Sequence, residues 1–418
     1  MKNPITTIPT SFFSENRSDL LEYLPDNSIC ILYSGTYSVL SLDQKNAFRT
    51  DSNFFYLTGI DEPDCYLTLI KSNGKTLEVL YIPAIDPEFE KWEGNALKTE
   101  QAAEISGISK ILTNHNFKTD LFRYTVNADL VFSTINTSFS DQPLTHWHQF
   151  LSELKKRLPC HSFKNAAPLL HSLRACKDSV EIDSLKKTFP LINQALKKAV
   201  PKIKNGAYEY EIEAAILYQY HSSGYQPSFD TIVASGKNAT ILHYTEHRSQ
   251  LQNSDLLLID TGVMIDHYCG DITRVFPVSG KFSNRQKKIY ETNLTIQEKV
   301  IASIRTGMTM RDIFTVAGEI QNEILRQEKL LSEDTNHSSI TFHSIGHSLG
   351  LDVHDPINPA IPLVEGTVLT IEPGIYLKDE NIGIRIEDVI LLKDSGNEVL
   401  SSEIPKSISE IENMLAQS

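Results

Sequence analysis

Four stretches of this sequence gather residues able to hold a cation or move a proton. In DLLLIDTGVMIDHYCGDITR (255–274), four apolar residues, Leu256 to Ile259, run into Asp260. Asp271 follows 11 positions later, with Asp266 between them. An apolar run without polar alternation reads as a strand covered on both faces. A carboxylate ending such a strand is costly unless it is paired or bound to a cation. A β-hairpin, with its turn around Gly262 to His267, brings Asp260 and Asp271 close, and a divalent cation relieves their repulsion. Read alone, the stretch is explained equally well by two ordinary loop aspartates. Asp266 falls in the turn and is expected to be solvated.

The second stretch, ITFHSIGHSLGLDVHDP (340–356), holds His343, His347 and His354. His343 and His347 have the spacing of a zinc-binding helix, but Ser344 follows His343, and Gly346 and Gly350 oppose a helix. A glycine-rich turn that brings imidazoles to an ion is the better reading, against three unrelated surface histidines. In VLTIEPGIY (368–376), an apolar run ends on Glu372 and is stopped by Pro373 and Gly374. A strand and turn with an incidental glutamate is the alternative. In IGIRIEDVILL (382–392), alternation places Arg385, Glu387 and Val389 on one face and Asp388 on the other. Here the alternative is an edge strand with a solvated face.

Taken in order, Asp260, Asp271, His347, Glu372 and Glu387, with their flanks IDTG, GDITR, GHSLGLDVHD, IEPG and IRIED, resemble the pita-bread-fold metallopeptidases. That family includes aminopeptidase P, prolidase and methionine aminopeptidase, with creatinase as a non-peptidase relative. The resemblance covers the chain from about residue 170. Upstream, FRTDSNFFYLTGIDEPDCYLTLI and WEGNA around Trp92 resemble the N-terminal domain of aminopeptidase P and prolidase, which methionine aminopeptidase lacks.

The resemblance implies an α/β (α+β) chain: an N-terminal mixed α/β domain, then a pita-bread catalytic domain. It implies that Asp260 binds one metal ion, that Asp271 and Glu387 bridge two, and that His347 and Glu372 bind the other. Four carboxylates and one imidazole balance two divalent ions and leave room for a bridging hydroxide. Such oxygen-rich ligation favours Mn²⁺, with Co²⁺ or Zn²⁺ as alternatives. Glu372 is implied as proton shuttle, His243 and His354 as catalytic histidines that contact substrate, and His343 and Arg385 as further substrate-site residues. His247, His337, His146 and His148 match no family position and are read as surface or structural. The implied activity releases the N-terminal residue from peptides with proline second. Prolidase is the alternative, and a homodimer or homotetramer is expected.

Those residues need a scaffold. A length of 418 residues predicts two domains, placed at 1–168 and 169–418. The net charge of −14 disfavours a nucleic-acid or anionic-membrane partner. With no apolar leader and no membrane-length run, a cytoplasmic protein is expected. The five cysteines include no CxxC pair and read as reduced thiols. Strands are predicted over 28–41, 77–85 and 229–236, and a strand–turn–strand over 54–70. Helices are predicted over 98–108, 145–157, 208–222, 283–307 and 309–327. A loop is expected around Pro168, an N-cap at Ser179, a kink or break at Pro190, and a helix stop at Gly307.

Overall fold

The computed structural model describes residues 6–85, 87–94, 96–135 and 145–417, so Asn95 of the WEGNA stretch lies outside the described residues. The chain divides into two compact units, Met1–Leu173 and Arg174–Ser418.

The first unit is built on β1 (Ser28–Tyr33), β2 (Tyr66–Ser72), β3 (Lys75–Ile82), β4 (Ile111–Thr113), β5 (Leu130–Ser133) and β6 (Ser162–Asn165). They form one mixed sheet in the order β4-β3-β2-β1-β5-β6. Both β1–β2 and β2–β3 are antiparallel, whereas β3–β4, β1–β5 and β5–β6 are parallel. Ile29, Ile31, Val79, Tyr81 and Val131 form a core with Phe117 and Leu121 of one helix and Leu151 and Leu154 of another.

The predicted strand at 54–58 is instead the helix α1 (Ser52–Thr58). Its composition is β-like, yet Asp51 caps it by accepting from Phe54 N at 2.9 Å, and Gly59 closes it at φ 68°. Phe54, Phe55, Tyr56 and Leu57 are all buried, so the helix shows no polar face to reveal its period. The strand predicted over 28–41 breaks after Tyr33 and resumes only as a short strand, Val39–Ser41.

Around the junction, Pro168 lies in the first turn of the helix α2 (Ala167–Ala175) and not in a loop, a position where its missing N–H costs nothing. The next helix, α3 (Ser179–Ala199), is capped by Asp178 and not Ser179. The Asp178 carboxylate accepts from Val180 N and Glu181 N at 2.8 and 3.0 Å, and Glu181 reaches back to Asp178 N. Helix α3 runs unbroken through Pro190, an exposed position where water can satisfy the freed carbonyl. The helix α4 (Asn284–Ser303) starts with the predicted Ser283–Gln286 capping box but ends four residues before Gly307. Gly307, at φ 87°, turns the chain toward α5 (Met310–Gln327).

The second unit holds β7 (Ile232–Ser235), β8 (Leu256–Thr261) and β9 (Ile272–Pro277) in one antiparallel sheet. A second antiparallel pair joins β10 (Val368–Ile371) to β13 (Asp388–Leu391), and a third joins β11 (Gly374–Leu377) to β12 (Ile382–Arg385). Strand β8 is buried at all six positions, as its uninterrupted apolar run predicts. Between β8 and β9 a small hairpin turns at Asp266 and His267, both at positive φ. Asp266 is not solvated: its side chain is 7% exposed and pairs with Lys187 Nζ at 3.3 Å, because α3 covers the hairpin.

Candidate metal centre

Four of the five predicted ligands sit where a strand ends or breaks. Asp260 is opposite Thr273 in the β8–β9 register, and Asp271 immediately precedes β9. Glu372 occupies the break between β10 and β11, and Glu387 the break between β12 and β13. His347 comes from irregular chain that is hydrogen-bonded along β10. Glu372 N donates to Ile345 O at 2.8 Å, and Thr370 N to His347 O at 2.9 Å. Gly346 permits that approach, since a Cβ there would lie 1.9 Å from the Thr370 carbonyl oxygen. The helical zinc-site reading of His343 and His347 is thus excluded by geometry as well as by composition.

The five side chains converge. Asp271, His347 and Glu387 offer ligand atoms that all lie within 4.8 Å of one another. His347 Nε2 is 3.6 Å from Asp271 Oδ2 and 3.5 Å from Glu372 Oε1. Asp260 Oδ2 accepts from Arg385 Nη2 at 2.5 Å, while Asp260 Oδ1 is buried with no hydrogen-bond partner. Glu387 Oε2 accepts from Thr273 Oγ1 at 2.8 Å. Arg385 also donates to Thr273 Oγ1 and to Tyr376 Oη, each at 3.1 Å, which fixes its guanidinium plane.

The electrostatics say what belongs between these groups. Burial, then Glu387, Asp260 and Glu372, push the Asp271 carboxyl far above the ordinary carboxylate range. Burial, then Glu372 and Asp260, do the same to Glu387. Glu372 is pushed up to about 7 by burial, with Arg385 pulling the other way. His347 is pushed down to about 4, by burial and then by His354. It is therefore a neutral imidazole at neutral pH. With Nδ1 3.1 Å from Ser348 O, the hydrogen-bond geometry assigns the proton to Nδ1. Nε2 then points a lone pair at two carboxylates. This cluster of carboxyls around a neutral imidazole, with an unpartnered buried carboxylate oxygen beside it, fits divalent cations, whose charge would hold the carboxyls ionised.

The other predicted residues fall around this centre. His343 Nε2 is 2.8 Å from Tyr376 Oη, and its Nδ1 is 3.8 Å from Glu372 Oε2. Burial, and then Arg385, bring its pKa down to about 4. The His354 ring lies 4.1 Å from that of His347, tilted 43° to it, and is open to solvent. His243 is exposed and near enough to His343 and His354 to count among the groups that lower the pKa of both. Three histidines thus meet on the solvent side of the carboxylates. His247 stands apart: it is buried, its Nδ1 is 3.0 Å from Glu213 and its Nε2 accepts from Val233 N. The expected face reversal also holds, because Asp388 turns away to Arg274 and Lys406. None of the five cysteines forms a disulfide, and Cys269 is a buried packing residue beside Leu351 O.

Three residues of the centre were not singled out from sequence: Thr273, Thr370 and Tyr376. Each lies two positions from a residue already identified or in register with one. Thr273 follows Asp271, Thr370 precedes Glu372, and Tyr376 shares the β11–β12 ladder with Arg385. Strand alternation was the available signal.

Comparison with known proteins agrees with this geometry. Residues 13–132 match "Aminopeptidase P, N-terminal domain", and residues 183–394 match "Metallopeptidase family M24". The Xaa-Pro aminopeptidase of Haemophilus influenzae is 32% identical, over 98% of each chain. A solved structure from Bacillus anthracis is similar with a TM-score of 0.95 at 35% identity, covering 98% of this chain and 99% of that one. A zinc-substituted Escherichia coli aminopeptidase P in complex with product is similar with a TM-score of 0.89 at 30% identity, covering 98% and 99%. The architecture is thus an α/β N-terminal domain followed by a pita-bread catalytic domain. The protein belongs to metallopeptidase family M24, a family of hydrolases, and carries the aminopeptidase P N-terminal domain ahead of its catalytic domain.

Proposed function

We propose that this protein is a dinuclear metal-dependent Xaa-Pro aminopeptidase, which removes the N-terminal residue from peptides with proline in second position. The observation that carries the reading is the neutral His347 imidazole directed at a buried carboxylate cluster. Full-length similarity to a protein named Xaa-Pro aminopeptidase supports the substrate class.

In this reading Asp260, Asp271, His347, Glu372 and Glu387 hold the two ions, Mn²⁺ in preference to Co²⁺ or Zn²⁺. When bound, such ions acidify a water for attack and polarise the scissile carbonyl. Asp271 and Glu387, whose ligand atoms lie within 4.8 Å of each other and of that of His347, would be the two ligands shared by both ions. Arg385 fixes Asp260 through its 2.5 Å contact and leaves the other carboxylate oxygen for ligation. Glu372 would take the proton that the attacking water loses and pass it to the leaving proline nitrogen. His343, held by Tyr376, and the exposed His354 and His243 contact the peptide and steady the developing oxyanion. The Xaa-Pro bond has no N–H, so the site needs no acceptor for one.

Metal-loaded protein offered an Xaa-Pro-Yaa tripeptide and an Xaa-Pro dipeptide tests the reading. Cleavage of the tripeptide supports it. Cleavage of the dipeptide alone transfers the assignment to prolidase, and cleavage of neither by metal-bearing protein overturns both. We also propose a cytoplasmic homodimer or homotetramer, and light scattering of an active monomer would refute the assembly. Among the described residues, no helix is long and apolar enough to cross a membrane.

A further inference from the structure

Outside the metal ligands, one buried carboxylate has an unusual set of partners. Glu209, fully buried at the start of the helix Glu209–Ser222, accepts five hydrogen bonds. Its Oε1 accepts from Ser235 N and Ser235 Oγ, each at 2.7 Å, and from Asn238 Nδ2 at 3.0 Å. Its Oε2 accepts from Tyr244 Oη at 2.8 Å and from Ser249 N at 3.0 Å. The donors come from the beginning, middle and end of one segment, 235–249. A single carboxylate therefore closes that segment into a loop, and Asn238 Nδ2 adds a direct tie to Ser249 Oγ at 2.8 Å.

His243 is carried on this loop. Its neighbours Ile241, Thr245 and Glu246 are exposed, while Tyr244, the residue next to it, is buried and held by Glu209. The loop also rests on β12, where a Cβ on Gly383 would lie 2.0 Å from Ala239 O. Two residues further along β12 is Arg385, so the loop and the metal centre share one strand. An exposed imidazole loses orientational freedom only through the backbone that bears it, and here that backbone is fixed from below by a charged acceptor.

We infer that Glu209 is a positioning residue for His243: it clamps the 235–249 loop and so sets where that imidazole meets the substrate. This rests on the substrate-contacting role proposed above for His243.

Glu209→Gln is the discriminating change. Donors face both carboxylate oxygens, so either orientation of the amide points an N–H₂ at N–H or O–H groups. In metal-loaded enzyme, Glu209→Gln is expected to lower kcat/KM for the tripeptide about tenfold, with metal content unchanged. In a His243→Ala background the same change is expected to cost less than about twofold, because the group it positions is gone. Equal losses in both backgrounds would reduce Glu209 to a fold-stabilising residue and overturn the proposal, as would full activity of His243→Ala alone.

Tyr244→Phe, which deletes one donor and leaves four, covers the case in which Glu209→Gln does not fold. It is expected to show a smaller loss with the same dependence on His243. Hydrogen exchange needs no substrate: amides of 236–249 should exchange faster in both variants, and unchanged exchange refutes the clamp. If the wild type cleaves no Xaa-Pro peptide, the functional reading falls, and the exchange result still decides whether Glu209 holds the loop.

Discussion

Replacing Asp355 with asparagine removes the centre of a buried ion cluster behind the His347–His354 loop. Asp355 Oδ1 accepts from Arg174 Nη2 at 2.6 Å and from Asp352 N at 3.1 Å, and Oδ2 accepts from Lys177 Nζ at 3.0 Å. The side chains of Lys177, Asp355 and Arg174 are 0%, 1% and 2% exposed. Breaking a buried pair by removing one partner costs ~3–5 kcal/mol, since the other charge is left without compensation. Arg174 keeps Asp352 at 2.6 Å, whereas Lys177 keeps Ser348 Oγ at 3.4 Å and the more distant charge of Glu181. The lower end, ~3 kcal/mol, is therefore expected. For a unit of this size that is a fall of ~6–12 °C in Tm, read by thermal unfolding at pH 7. Adding Lys177→Met removes the stranded ammonium and should restore at least half of the loss. The pH dependence has a definite sign. Burial alone would raise the Asp355 pKa, but Lys177 and Arg174 hold it below its ordinary 3.8. Its stabilisation is complete above pH 3.8 and is lost as pH falls through the lower folded value, so the gap between wild type and Asp355→Asn closes in acid. A loss below ~1 kcal/mol at pH 7, or no recovery with Lys177→Met, would refute the reasoning.

Three further outcomes follow from the centre itself. In chelator-treated protein Glu372 has a pKa raised from 4.5 to about 7, so the fold holds its proton more tightly than the unfolded chain does. Its contribution to stability is therefore lost as pH rises from 4.5 through 7, and Glu372→Gln should flatten that part of a urea-unfolding series; apo stability that rises over this range contradicts it. Arg385→Lys replaces a planar fork on Asp260, Thr273 and Tyr376 with a single point of contact, and kcat/KM should fall ~10²-fold while the fold is retained. Gly346→Ala puts a Cβ into the Thr370 carbonyl, so the His347 loop must leave β10; more than ~4 kcal/mol of stability and most bound metal should be lost, as thermal unfolding and metal analysis would show.

The candidate ligands could be picked out from sequence for one physical reason. An apolar run that stops on an acid is expensive, and three of the five ligands, Asp260, Glu372 and Glu387, end or interrupt such runs. Their partners were harder to see because threonine and tyrosine are ordinary strand residues. Thr273 was hidden in GDITR and Tyr376 in EPGIY, although alternation with the candidate site residues pointed to both. The misread elements share another cause. Helix Ser52–Thr58 is buried all round and so has no periodicity to detect. Pro190 is tolerated because it faces water, and Asp266 is paired because a helix distant in sequence covers its turn. None of these can be judged from local composition. They depend on what the rest of the chain brings alongside.

The central claim is that five side chains hold two ions that the reaction requires. It is tested most directly by measuring metal per chain and the rate of Xaa-Pro-Yaa cleavage on the same samples during stepwise Mn²⁺ addition to chelator-treated protein. The account predicts that full rate coincides with about two ions per chain, and that Asp271→Ala loses both occupancy and rate together. Full cleavage by metal-free protein, or by Asp271→Ala, would contradict it.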